Sequence, residues 1–226
     1  VVIGNSKYAV SYQGMTITNT NQEKIEITVT KNWVGGEHNR PASVGFTLKA
    51  NPAGALPGEG VRYTIHAAEG WTKTISELPK YYNGEEVKYT IVEDAVANFS
   101  STVAGYTMTN TFTPNRDGQV TVVKNWVNTP ADLKVDIKVQ VTGITAEGEE
   151  EVVVPEATIL KSQGTVTVNV PKFHTNGKVF ARYEAKELNA AGSVIAAGTV
   201  AIIGNSQYEV TYDGLTITNT NVSKIE

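Results

Sequence analysis

Residues 27–34 read ITVTKNWV, and residues 120–127 read VTVVKNWV. Both carry the dense Val, Ile and Thr content and two-residue alternation of a half-buried β-strand. Successive side chains of a strand point to opposite faces. Ile27, Val29, Lys31 and Trp33 therefore share one face, and Val120, Val122, Lys124 and Trp126 share the corresponding one. A lysine stands in the apolar row both times. An unpaired ammonium inside a core is costly, so its partner has to come from elsewhere in the chain.

The same parity test finds two more polar residues on the apolar side. In YTMTNTF (106–112), Met108, Asn110 and Phe112 align; in GLTITNTN (214–221), Leu215, Ile217 and Asn219 align. In YTIVE (89–93), Glu93 aligns with Tyr89 and Ile91, and in YEAKE (183–187), Glu187 aligns with Tyr183 and Ala185. Glu184 falls on the opposite face. The Lys-to-Glu spacing is 93 − 31 = 62 residues in the first unit and 187 − 124 = 63 in the second.

Two chemistries fit an inward lysine, glutamate and asparagine. One is a buried salt bridge capped by a side-chain amide. The other is a reaction. Desolvation lowers a lysine pKa and raises a glutamate pKa. A neutral amine is a nucleophile, and a carboxyl group can polarise an amide and shuttle its proton. Attack of Lys31 on Asn110, assisted by Glu93, would expel ammonia and leave an isopeptide bond. Lys124, Glu187 and Asn219 would repeat it.

The rest of the chain reads as β throughout. Short Val-, Ile-, Thr- and Tyr-rich segments are separated by breakers such as VGGEHNRP, NPAGALPGEG, YYNGEE and TPNRDGQ. The best helical candidate, ATILKSQG at 157–164, is weak. Many short strands at regular spacing predict an all-β chain of tandem immunoglobulin-like sandwiches. Residues 23–114 form one expected domain and 115–226 a second, diverged one with an insertion near 189–204.

A third asparagine-ended phrase, GMTITNTN (14–21), has no KNWV before it. Residues 1–26 match residues 201–226 at 17 of 26 positions, at an offset of 201 − 1 = 200. Such self-similarity marks a tandem array. Residues 1–22 are expected to be the closing strands of a preceding repeat, either loosely ordered or borrowed into another molecule's sheet. Asn19, with only 18 residues before it, is expected to stay unreacted.

Composition narrows the function classes. A net charge of −4 argues against nucleic-acid binding, and no apolar run is long enough to insert in a membrane. The chain has no cysteine, so neither disulfides nor thiolate metal sites hold it together. His38, His66 and His174 lack metal-ligand spacing. No metal or cofactor is expected. The NFS sequon at Asn98 and the RDG at Arg116 are read as chance matches, and Trp33 and Trp126 as core aromatics.

The blocks VTKNW, RPASVGFTLKA, GWTKTISELPKYYNGEEVKYTIVED and YTMTNTF, in that order, resemble the B-type repeat of the collagen adhesin Cna. This module recurs in surface proteins and pilins of Gram-positive bacteria. The resemblance implies an inverse immunoglobulin-like sandwich sealed by a self-generated isopeptide bond, with Lys31 as the lysine, Glu93 as the acid and Asn110 as the asparagine. The second unit keeps VVKNW, VPKF, RYEAKE and ITNT, which puts Lys124, Glu187 and Asn219 in the same roles. It lacks the RPAS block and a counterpart of Trp71.

These readings set the functional expectations. The units are stalk or spacer repeats on the cell-wall-anchored, extracellular surface of a Gram-positive bacterium. Neighbouring repeats are the expected partners, and the chain is expected to be monomeric. The reaction would turn over once per domain, which is not enzyme activity. The main alternative is an adhesin binding a host matrix protein through the insertion or through NPAGALPGEG. A pilus backbone subunit is a third reading.

Overall fold

The computed structural model describes residues 1–223. Strands form where Val, Ile and Thr alternate with polar residues: β1 (Val2–Ile3), β2 (Ser6–Gln13), β3 (Thr16–Asn21), β4 (Lys24–Val34), β5 (Ser43–Asn51), β6 (Val61–His66), β7 (Thr72–Pro79), β8 (Tyr81–Tyr82), β9 (Glu85–Glu86), β10 (Lys88–Glu93), β11 (Phe99–Ala104) and β12 (Thr107–Phe112). Then come β13 (Gly118–Val127), β14 (Ile137–Thr145), β15 (Glu150–Ile159), β16 (Thr165–Val170), β17 (Phe180–Leu188), β18 (Thr199–Ile203), β19 (Ser206–Asp213) and β20 (Thr216–Asn221). Contacts divide the chain into unit 1, residues 1–113, and unit 2, residues 114–226.

In unit 1 a four-stranded sheet, β11-β12-β4-β7, and a three-stranded sheet, β10-β5-β6, enclose one core. Ile27 and Val29 from β4, Phe46 and Leu48 from β5, Ile75 from β7, Ile91 from β10 and Met108 from β12 meet inside. Unit 2 packs a five-stranded sheet, β16-β13-β20-β19-β18, with β15-β14-β17 around a second core.

In each sandwich the opening strand runs parallel to the closing one. β4 pairs β12 with Met108 opposite Lys31 and Asn110 opposite Trp33. β13 pairs β20 with Ile217 opposite Lys124 and Asn219 opposite Trp126. The closing strands are reached by antiparallel hairpins whose two-residue loops begin with glycine. Gly105 and Gly214 have φ of 57° and 56°, a region that costs glycine no Cβ clash.

The helical expectation for residues 157–164 is corrected. Ala157 and Ile159 end β15, opposite Val139 and Ile137 of β14. Ile159 is drawn into the core, and the chain then turns, with the Gly164 amide donating to the Leu160 carbonyl. Burial of Ile159 against β14 outweighs the weak local helical tendency. The insertion of unit 2 contributes β18, an edge strand that pairs β19.

Residues 2–21 are ordered as a separate sheet, β1-β2-β3, grouped with unit 1. Asn19 and Asn21 line a shallow cleft with Tyr81 and Gly84, near the β8–β9 hairpin.

A buried lysine, glutamate and asparagine in each sandwich

The inward polar residues of unit 2 converge on one glutamate, and in unit 1 Lys31 meets Glu93 while Asn110 is buried on the strand beside that of Lys31. In unit 2, β13 brings Lys124 and β20 brings Asn219 side by side on one sheet, while β17 brings Glu187 from the facing sheet. The Lys124 Nζ donates to Glu187 Oε2 at 2.9 Å, and the Asn219 Nδ2 donates to Glu187 Oε1 at 3.2 Å. One carboxylate thus bridges the amine and the amide nitrogen. Asn219 is fully buried, and its carbonyl oxygen has no hydrogen-bond partner. Burial pushes the Lys124 ammonium down to about 8, against the opposing pull of Glu187.

Unit 1 repeats the arrangement with different hydrogen bonding. Lys31 Nζ lies 3.2 Å from Glu93 Oε1 and donates to the Asn32 carbonyl at 3.1 Å. The Glu93 side chain is 2% exposed. Both carboxamide atoms of Asn110 are buried without a hydrogen-bond partner. An unsatisfied buried polar group costs about 1–3 kcal/mol, so the unreacted amide is a liability in the core. Burial lowers the Lys31 pKa, and the neighbouring Glu93 opposes the shift.

A tryptophan two residues on covers each amine. Lys31 Nζ sits 4.4 Å from the Trp33 ring centre, and Lys124 Nζ 4.7 Å from that of Trp126. The rings also pack outward, Trp33 edge-on against Trp71 and Trp126 edge-on against Tyr208. Tyr208 thereby supplies the aromatic neighbour that unit 2, lacking a counterpart of Trp71, obtains from its closing hairpin. Glu184 lies on the other face, bonded to Arg182.

Two contacts were missed in the sequence. Ser101 Oγ donates a short hydrogen bond to Glu93 Oε2. The two-residue loop at Gly105 sets the register that puts Ser101 opposite Asn110, so pairing β11 with β12 from that turn would have found it. Unit 2 has Val210 at the equivalent place, opposite Asn219. There the insertion does the holding: the Ile195 amide donates to the Glu187 carbonyl at 2.9 Å. The Tyr212 hydroxyl accepts from the Glu187 amide at 3.3 Å and donates to the Ile195 carbonyl at 2.6 Å.

Asn19 joins neither triad. It sits on β3 opposite Val10, and its residue is exposed. Among the described residues no group of three or more His, Cys, Asp or Glu could hold a metal ion.

Comparison with protein-family models matches residues 27–111 to the Cna protein B-type domain. A collagen adhesin of Staphylococcus aureus is 30% identical over 143 residues, covering 58% of this chain and 12% of that protein. The chain thus spans about an eighth of that relative's length. A solved structure of a single B repeat unit (B1) of the S. aureus collagen-binding surface protein is 24% identical, covering 88% of this chain and 98% of that one, with a TM-score of 0.37. A structure of two B repeat units of the same protein is 23% identical, covering 98% and 56%, with a TM-score of 0.39.

Proposed function

The chain contains a Cna protein B-type domain at residues 27–111, and from that premise we propose that both sandwiches are self-sealing structural repeats of a bacterial surface protein. Each seals itself by an isopeptide bond between its opening and closing strands. The observation that carries this reading is Glu187, whose two oxygens contact the Lys124 amine and the Asn219 amide nitrogen inside the buried core.

The chemistry follows from those contacts. Neutral Lys124 Nζ attacks Asn219 Cγ, and the carbonyl electrons move to oxygen. Glu187 takes a proton from the attacking nitrogen and hands it to Nδ2, its other hydrogen-bond partner. The tetrahedral carbon collapses, the Cγ–Nδ2 bond breaks, and ammonia leaves. One amine and one primary amide become one secondary amide, and the glutamate returns to its starting state. Lys31, Glu93 and Asn110 are assigned the same roles in unit 1.

Closing loops of 110 − 31 = 79 and 219 − 124 = 95 residues would stabilise each unit by about 4–5 kcal/mol, by analogy with disulfides. Because opening and closing strands are parallel neighbours, a pull on both ends would run through the new bond and bypass the sheets. That property suits a stalk or spacer on the outer surface of a cell-wall-anchored protein, with other repeats as neighbours. Intact-mass measurement tests the reading: a chain lighter than its sequence by two ammonia molecules is expected, and an unshifted mass would overturn the mechanism.

A second reading, ligand binding by the insertion, is favoured by one observation. Asn189, Ala190, Ile195 and Ile202 wall a cleft of about 250 Å³ in unit 2 together with residues of β14. Selective binding of a host matrix protein to the intact chain, lost on substituting Ile202, would support it.

A further inference from the structure

Trp71 and Gly164 hold the same backbone position in the two units. The Lys31 amide donates to the Trp71 carbonyl and the Lys124 amide to the Gly164 carbonyl, both at 2.8 Å. The residues that follow, Thr72 and Thr165, pair with Thr30 and Val123. Trp71 and Gly164 both have a left-handed φ, 57° and 67°. In unit 1 the Trp71 indole fills the space beside Trp33, with 5.2 Å between ring centres. In unit 2 Gly164 puts no side chain there. A Cβ at Gly164 would meet only the Lys124 carbonyl oxygen within 4 Å, at 3.8 Å. Tyr208 comes to Trp126 from the other strand: it stands opposite Asn221 as Phe99, the neighbour of Trp33, stands opposite Phe112.

The place of the missing indole is a cleft of about 610 Å³ with Trp126 in its wall. Asn125, Ser162 and Gln163 bring amide and hydroxyl groups to it, and Lys134 and Lys161 bring two ammonium groups. Neither ammonium has a hydrogen-bond or ion-pair partner among the described residues. No Asp or Glu lines the cleft; Asp136 accepts from the Lys161 backbone amide at 2.8 Å but stands outside it. Concave sites with an aromatic wall and a few convergent polar groups are where small ligands bind.

We propose that this cleft binds an anionic pyranose, a sugar ring bearing a carboxylate or a sulfate. The indole offers an apolar wall to the C–H groups of the ring. The amides and the hydroxyl bond the sugar hydroxyls, and the two lysines meet its charge. Val127 is the only Val, Leu or Ile in the lining, so an aromatic side chain of a peptide would find little apolar surface beyond Trp126. Unit 1 does not take the same ligand, because Trp71 already occupies the place. The site stands apart from the sealing reaction, in which Lys134 and Lys161 take no part.

The test uses the intact chain with hexasaccharides of hyaluronan and of heparin as acidic probes and chitohexaose as the neutral control. Backbone and indole amide NMR shifts locate the binding. Shifts at Asn125, Gln163 and the Trp126 indole with at least one acidic probe are expected, with the Trp33 and Trp71 indoles unmoved. Raising the salt from about 0.05 to about 0.5 M should weaken the binding roughly tenfold. Gly164→Trp, which refills the space as unit 1 does, should abolish the shifts with the β-sheet circular dichroism unchanged. Lys134→Ala combined with Lys161→Ala changes only the rim, and should also weaken binding roughly tenfold. Absence of these shifts with both acidic probes would overturn the proposal, as would a folded Gly164→Trp chain that binds like the native one. Equal binding of chitohexaose would overturn the role of the lysines. An acidic, tryptophan-bearing peptide that moves these signals where neither sugar does would overturn the choice of a sugar.

Discussion

Lys124 Nζ and Glu187 Oε2 meet at 2.9 Å across the two sheets of unit 2, and each side chain is 1% exposed. A buried pair of this kind contributes little net stability, because desolvation offsets the Coulomb attraction. Removing one partner, however, leaves the other charge buried and alone. Net stability alone therefore does not account for the pair.

Glu187→Ala is therefore expected to abolish one ammonia loss and to destabilise unit 2 by about 3–5 kcal/mol before the missing crosslink is counted. Glu93→Ala should abolish the other loss. Intact mass and urea unfolding together measure both effects. A Glu187→Ala chain that still lost two ammonias would remove Glu187 from the mechanism.

Bond formation in unit 2 should rise with pH. Burial holds Lys124 at about 8, so its neutral fraction grows about tenfold per pH unit below that value and levels off above it. Mass spectrometry at timed intervals after cell-free synthesis, from pH 6 to 9, follows the reaction. A flat profile would contradict a neutral amine as the attacking group.

The unreactive Asn219→Ala chain should show the linked stability effect. Its Lys124 pKa is depressed in the fold relative to the ordinary value of 10.5. Between about 8 and 10.5 the unfolded chain binds the extra proton, so stability increases with pH there, by up to about 1.4 kcal/mol per unit. Below about 8 the contribution is constant. Urea midpoints across that range measure the slope.

Ser101→Ala should slow the first bond without stopping it. Ser101 holds the second oxygen of Glu93, and losing about 1.4 kcal/mol of positioning corresponds to tenfold in rate. The same timed mass measurement reads it, with the unit 2 bond as an internal reference that should not change.

Gly143→Ala should destabilise unit 2. A Cβ at this position would lie 2.8 Å from two carbons of the buried Phe180 ring. Forcing the ring aside costs about 1–3 kcal/mol. A lowered unfolding midpoint with both ammonia losses retained is the expected result.

Much of the site was legible because strand parity is a local rule. Lys31, Glu93 and Asn110, and their unit 2 counterparts, each stand on an apolar face by counting in twos. The repeated KNWV and TNT phrases showed that the pattern occurs twice. Ser101 was missed because its partner lies across a turn and in the opposite sheet. The role of the unit 2 insertion was missed because Ile195 acts through backbone hydrogen bonds to Glu187, which leave no pattern in side-chain identity. The segment 157–164 was misjudged because its strand is stabilised by burial against β14, a contact remote in sequence.

The sequence by itself determined that the chain is all β, that it holds two KNWV units and a third closing phrase, and which polar residues face inward. Those properties depend on alternation and repetition along one strand at a time. Only the tertiary structure decided that lysine and asparagine lie on adjacent parallel strands, and that one glutamate reaches over from the facing sheet to touch both in unit 2. It also decided that two strands of the same sequence, TITNTN, have different surroundings. Asn219 is buried because β13 and a core receive it, whereas Asn19 is exposed. The physical reason is that a strand's own residues set which way a side chain points, but its neighbours supply what it points into.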